Sequence, residues 1–254
     1  MRLRILGCSG GIGGDLRTTS MLVDEDALID AGTGVSDLSI NELLKIDHIF
    51  VTHSHMDHVT SIPFIVDTVG WMRDSPITVY TTRETGDILR EHLFNWKLWP
   101  DFTKIPDEKS PMLRYETVAL GKTVALNGRM FTPLPANHAV PAIGYHLNSG
   151  RGSLVFTGDT TVNDALWPEV NKIEKLKYLI IETALSDRER ELAIVSKHLC
   201  PSLLAVELGK LKGSPEIYIT HLKPRESEII MGEIEARVKE HRPKMLQNNQ
   251  VFDF

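Results

Sequence analysis

The 254-residue chain is 42% hydrophobic and 24% charged with no low-complexity tract, proportions that allow a globular fold with a substantial core. Its formal net charge of -6 comes without a basic stripe, which argues against a surface that grips a long polynucleotide. No span approaches the apolar length of a membrane helix, and Met1-Arg2-Leu3-Arg4 runs straight into a strand-like segment instead of a signal peptide, so a cytoplasmic protein is expected. Cys8 and Cys200 stand far apart and outside any metal-binding spacing, which makes a disulfide framework unexpected.

Residues 3–6 form a short apolar strand that leads into Gly7-Cys8-Ser9-Gly10-Gly11-Ile12-Gly13-Gly14. Glycines at that density allow positive φ and close backbone approach, so this loop either faces a site or is a plain turn region. No nucleotide-binding strand-loop-helix fingerprint follows it. Residues 19–23 and 26–30 alternate like a hairpin, Asp30-Ala31-Gly32-Thr33-Gly34 makes a second turn, and a short helix is expected over 41–46.

Ile49, Phe50 and Val51 read as the end of a buried strand, followed at once by Thr52-His53-Ser54-His55-Met56-Asp57-His58. A strand that stops at a sharp turn can swing closely spaced side chains toward one point beyond its tip. Neutral imidazole and carboxylate suit a borderline cation such as zinc, and also iron or manganese. Four such groups from one turn exceed what a single ion needs from one side, so a pair of divalent ions is the natural reading.

Beyond the turn, apolar residues at Ile62, Ile65, Val66 and Val69 predict a helix within 59–72, with a strand at 77–80 and a helix at 83–93. An aromatic-rich insert around 93–112 opens with Phe94-Asn95-Trp96-Lys97-Leu98-Trp99-Pro100-Asp101-Phe102. These rings either line a mouth where a flat base stacks or form satellite core under a long loop, and an exposed insert would also suit a homodimer. Residues 113–126 and 129–133 return to strand-like alternation.

His138 then stands in a proline-bracketed turn after a strand at 130–134. The strand at 153–156 ends in Thr157-Gly158-Asp159, that at 178–181 in Glu182, and that at 217–220 in His221. Ligand-type side chains thus recur at strand tips at His53, His138, Asp159, Glu182 and His221, and sheets place their sites at such edges. Helices are expected over 187–196, over 201–211 with Pro201 in the first turn, and over 224–241 with Ile230, Ile234 and Val238 on one face. His48, His92, His146 and His241 have no ligand partners in sequence and read as surface or core histidines.

His53-x-His55-x-Asp57-His58, with His138, Asp159 and His221, resembles the metallo-β-lactamase superfamily over nearly the whole chain. That resemblance implies an α/β fold, a single-domain αββα four-layer sandwich over residues 1–254, with a two-metal site at one edge. It further implies that His53, His55 and His138 hold one ion, that Asp57, His58 and His221 hold the other, and that Asp159 bridges them. Glu182-Thr183, His198-Leu199-Cys200-Pro201 and Thr220-His221-Leu222-Lys223-Pro224 look like the class II cyclic-nucleotide phosphodiesterases within it. The segments around Phe94 to Phe102 and Asp159 to Trp167 are similar to that family too. The tRNA 3′-processing endonucleases share the glutamate and histidine arrangement, but no inserted arm for gripping tRNA is evident. Met56 stands where a leucine is common, a volume-conserving change.

The chemistry this implies is hydrolysis of 3′,5′-cyclic AMP or cyclic GMP to the 5′-nucleotide. Two ions, zinc first among the candidates, would share a water, lower its pKa and supply hydroxide. His198, held by Glu182, is the candidate general acid for the leaving ribose oxygen, and Asp57 is counted with them among the catalytic residues. The alternatives are a hydrolase of the same fold acting on RNA, an ester or a lactone, and a non-hydrolytic di-metal sensor.

Overall fold

The computed structural model describes residues 1–254. Its strands are β1 (Arg2–Gly7), β2 (Ser20–Val23), β3 (Ala27–Ala31), β4 (His48–Phe50), β5 (Ile77–Thr81), β6 (Leu113–Thr117), β7 (Val124–Leu126), β8 (Arg129–Pro135), β9 (Ile143–Asn148), β10 (Ser153–Phe156), β11 (Leu176–Glu182), β12 (Glu216–Thr220), β13 (Lys244–Met245) and β14 (Val251–Asp253). The helices are α1 (Ile40–Leu43), α2 (Met56–Val59), α3 (Ile62–Val69), α4 (Arg83–His92), α5 (Leu166–Val170), α6 (Arg190–Ser196), α7 (Pro201–Leu208) and α8 (Ser227–Arg237). Two seven-stranded sheets result, ordered β14-β1-β2-β3-β4-β5-β6 and β13-β12-β11-β10-β9-β8-β7. Each is antiparallel in one half and parallel in the other, with the change at β3 and at β10.

Period-two alternation decides which side of each sheet meets what. Leu3 and Ile5 of β1, Met21 and Val23 of β2, Phe50 of β4, Leu154 and Phe156 of β10, Ile180 of β11 and Tyr218 of β12 point into one core between the sheets. Their neighbours Leu22, Leu28 and Ile49 point outward to a core shared with α3 and α4, and Val155, Leu179, Ile181, Ile217 and Ile219 to a core shared with α5, α7 and α8. Three cores separating helix, sheet, sheet and helix layers make the αββα sandwich. At the centre, Phe50 stacks on Phe131 at 4.2 Å and on Tyr80 at 4.5 Å between ring centroids. No helix is long and apolar enough to cross a membrane.

Several local expectations change on folding. The helix expected within 59–72 is α3, which starts only at Ile62 because Ser61 N–H donates to the carbonyl of Ala31 and Pro63 opens the first turn, and which gives way to a 3-10 turn over Gly70–Met72. Residues 113–126 are two strands, interrupted by a turn in which Gly121 takes φ +69. The last helix is α8 alone, shorter than 224–241, since Arg225 adopts a left-handed φ of 69 that cannot continue a helix. β9 and β14 were not anticipated: β9 carries Gly144, His146 and Asn148, and β14 becomes a strand only by pairing with β1 from the far end of the chain. In the aromatic insert, Phe94 and Phe102 are buried in the core beneath α3, and Trp99 is packed against it. The base-stacking alternative therefore fails for these rings, leaving Trp96 as the exposed aromatic of the stretch.

Candidate metal centre

Parallel strands end together, and the loops beyond their carboxyl ends converge on one edge. Asp30 lies at the end of β3, His53 to His58 beyond β4, His138 beyond β8, Asp159 beyond β10, Glu182 at the end of β11 and His221 directly after β12. The chain brings all of them together. Ligand-type atoms of His53, His55 and His138 lie within 4.8 Å of one another, as do those of Asp57, His58 and His221. His53, His58 and Asp159 form a third such group that joins the first two, and His138, Asp159 and His198 a fourth. The Asp159 carboxylate is 3.4 Å from His58 Nε2, 3.4 Å from His221 Nδ1 and 3.8 Å from His53 Nε2.

Hydrogen bonds on the far side of each ring fix which nitrogen keeps its lone pair. His58 Nδ1 donates to Asp30 Oδ2 at 2.7 Å, and His138 Nδ1 to the carbonyl of Lys197 at 3.0 Å. Thr52 Oγ1 donates to Asp30 at 2.8 Å and so accepts from His53 Nδ1 at 3.0 Å. In each case Nε2 is left with a lone pair facing the cluster. His53 Nε2, His58 Nε2 and His221 Nδ1 are buried without any hydrogen-bond partner. Orphaned buried polar atoms cost about 1–3 kcal/mol each, and three within one cluster call for a Lewis acid. The donor set, imidazole nitrogen with two carboxylates, suits divalent ions of the zinc, iron and manganese group.

Electrostatics favour the neutral ring at four of the five histidines; at His58 burial pulls the same way, but Asp159 and Asp30 outweigh it and raise its pKa well above the usual histidine range. Burial, with the neighbouring rings adding to it, holds His53 well below the usual histidine range, lowers His55 and His138, and pushes His221 down to about 4. Neutral imidazole is the form that ligates. Asp159 is buried, which by itself would raise its pKa, but the rings around it outweigh that and hold it well below the usual carboxylate range, His58 being the one whose own pKa is raised in return.

Glu182 and His198, sixteen residues apart in sequence, are in contact: His198 Nδ1 donates to Glu182 Oε1 at 2.8 Å. Glu182 also accepts the backbone N–H groups of Thr160, Ala184 and Leu199 at 3.1, 3.1 and 3.3 Å; burial pushes its pKa up, and His198 and these N–H groups pull against that by favouring the carboxylate. Burial opposes charging of His198, yet the Glu182 carboxylate prevails and raises its pKa. The glycine-rich loop faces this edge. A Cβ on Gly10 would come within 2.4 Å of the His221 carbonyl, and one on Gly11 within 2.9 Å of Pro224. Cys8 supplies the carbonyl that accepts His221 N–H at 2.8 Å.

Residues 26–238 match the family model described as "Beta-lactamase superfamily domain". The chain belongs to the beta-lactamase superfamily. Among curated relatives it is 28% identical over 209 residues to a "Probable 3',5'-cyclic-nucleotide phosphodiesterase" of Yersinia pestis, covering 71% of this chain and 58% of that protein. It is also 25% identical over 193 residues to a "Ribonuclease Z" of Alkaliphilus oremlandii, covering 69% of this chain and 61% of that protein. The crystal structure of unliganded yeast PDE1 superposes with a TM-score of 0.83 at 18% identity over 98% of both chains, a likeness of metallo-β-lactamase fold.

Within this superfamily member, the residues that sequence reasoning missed are Asp30 and Thr52. Asp30 is fully buried, binds His58, Thr52 N–H and Thr52 Oγ1, and takes a left-handed φ of 55. The signal was present: a carboxylate at the tip of an apolar strand, the placement that marked Asp159 and Glu182.

Proposed function

We propose that this chain is a metal-dependent hydrolase, a phosphodiesterase that opens 3′,5′-cyclic nucleotides, cyclic AMP or cyclic GMP, to 5′-nucleotides, with residues 1–254 acting as one domain. The observation that carries this reading is the placement of His198. Its Nδ1 is held by Glu182 while its ring lies 4.9 Å from that of His138 and 5.2 Å from that of His221, so an imidazole whose basicity Glu182 raises stands beside the ligand cluster. His53, His55 and His138 would hold one divalent ion and Asp57, His58 and His221 a second, with Asp159 between them; zinc fits this donor set, as do iron and manganese. Bound there, such ions supply the Lewis acidity that lowers the pKa of water and offsets charge building on phosphoryl oxygens.

The chain's own residues do the rest. As water adds to phosphorus and the P–O3′ bond breaks, the departing 3′ oxygen takes a proton from His198, whose orientation and basicity Glu182 maintains. Asp57 joins them as the reachable carboxylate of the cluster, its side chain 30% exposed against 3% for Asp159. The name of the Yersinia relative supports the substrate class. A second reading, cleavage of an RNA phosphodiester, draws on the Ribonuclease Z relative, and the net charge of -6 weighs against it. Exposed Trp96 and Leu98 on the aromatic insert are the natural contact for a homodimer.

The test is hydrolysis of cyclic AMP and cyclic GMP by zinc- or manganese-loaded protein, beside a chelated sample and His198→Ala. Metal-dependent release of 5′-nucleotide, reduced about 10²- to 10⁴-fold in the variant, is expected. Turnover of a precursor tRNA but of neither cyclic nucleotide would replace this substrate assignment with the ribonuclease.

A further inference from the structure

Basic side chains drawn partly into this fold almost all have acidic partners. Arg4 pairs with Glu42, Arg17 with Asp37, Arg73 with Asp47, Arg129 with Asp26 and Lys210 with Glu207. Lys223 is the exception: half-buried, it meets no carboxylate within 4.0 Å, and its ammonium donates to the carbonyl of Gly10 at 2.7 Å. A cation withdrawn from water without a counter-charge is costly unless an anion comes to it.

Its position points to which anion. Lys223 follows His221 by two residues, and its backbone N–H donates to the carbonyl of Ala184 at 3.1 Å, which ties it to the strand end bearing Glu182. Gly10, the carbonyl it binds, lies against the His221 ring: a Cβ there would be 3.0 Å from His221 Cδ2. An ammonium has three N–H donors and Gly10 takes one, so two remain for a ligand.

We propose that Lys223 is the phosphate-binding cation of this centre, donating to a non-bridging phosphoryl oxygen of substrate and product; the assignment to a nucleotide rests on the phosphodiesterase reading above. A cyclic phosphodiester carries one negative charge and the 5′-phosphomonoester product nearly two, so Lys223 grips the product harder than the substrate. Its removal therefore weakens product binding more than it raises KM.

Calorimetric titration of metal-loaded protein with inorganic phosphate and with 5′-AMP tests this without using turnover. Lys223→Met removes the charge, Lys223→Gln removes it while keeping a donor for Gly10, and Lys223→Arg keeps the charge. The expected result is a loss of phosphate affinity of about ten- to a hundredfold in the Met and Gln variants, substantial recovery in Arg, and unchanged metal content and melting temperature. Phosphate affinity within twofold of wild type in the Met and Gln variants overturns the proposal, as does a wild-type protein that binds no phosphate. Metal loss in all three variants overturns it too, since it makes Lys223 a structural residue. If phosphate binding falls as expected but no cyclic nucleotide is hydrolysed, Lys223 stands and the substrate assignment is what fails.

Discussion

A histidine ligates only when its other nitrogen is held, so the residues behind the cluster matter as much as those in it. Asp30 holds both His58 and Thr52, and Thr52 in turn holds His53. Asp30→Asn is expected to lower metal affinity by about 10- to 100-fold, read by competition with a chromogenic chelator; wild-type affinity would show that His58 orients itself. His146, outside the site, gives a pH signature. It is partly buried, its Nε2 lies 2.9 Å from Ser153 Oγ, and burial pushes its pKa down to about 4. Between about pH 6.5 and that value the unfolded chain binds a proton that the folded one refuses, so this residue's contribution to stability is full above 6.5 and falls as the solution is acidified. His146→Gln should flatten that slope in urea titrations at pH 7, 6 and 5, and an unchanged slope would assign the acid sensitivity elsewhere.

Elements are held in place by a few buried polar links. Glu207 on α7 accepts Asn163 N–H at 3.0 Å and Trp167 Nε1–H at 2.7 Å, and Asn163 Nδ2 donates to the Pro135 carbonyl at 2.9 Å. Asn137, next to His138, donates through its side chain to Val162 O at 2.8 Å and through its backbone to Thr160 Oγ1 at 3.0 Å. The loops carrying Asp159 and His138 are thus pinned to each other and to α7. Glu207→Leu leaves two buried donors unpaired and is expected to cost about 3 kcal/mol by urea denaturation; a loss under 1 kcal/mol would show that water replaces the carboxylate. None of this was readable beforehand. Asn163 and Glu207 look like ordinary loop and helix-surface residues, whereas α7 was legible because Pro201 opens it.

Across the whole molecule the proposed ligands come from both sheets: His53, His55, Asp57 and His58 from the first, His138, Asp159 and His221 from the second. Metal bound there as proposed would staple the two halves of the sandwich at one edge. Exhaustive chelation is expected to lower the melting temperature by about 10 °C, restored by added zinc, since binding to the folded state alone is worth about 4 kcal/mol at a thousandfold excess over Kd. A melting curve indifferent to chelator would rule out such a staple. Phe50 serves the same joint from inside, between Phe131, Tyr80 and Tyr145. Phe50→Ala should cost about 3–5 kcal/mol in urea denaturation, a large part of a typical domain's stability.

By itself the sequence determined what local chemistry writes into a chain: the alternation that makes strands two-faced, the dense His53 to His58 turn, and the ligand-type residues waiting at strand tips. Parallel strands must end on a common side, so residues placed at their tips converge, and that is why His138, Asp159 and His221 could be picked out from strand ends alone. Tertiary structure alone decided the rest. Whether Glu182 meets His198, whether a terminal Asp30 turns inward behind a ligand, whether Phe94 and Phe102 face solvent or core, and whether Lys223 finds a carboxylate all depend on which segment packs on which. Such pairings join residues far apart in the chain, and their free energy comes from burial that exists only once both sheets have closed.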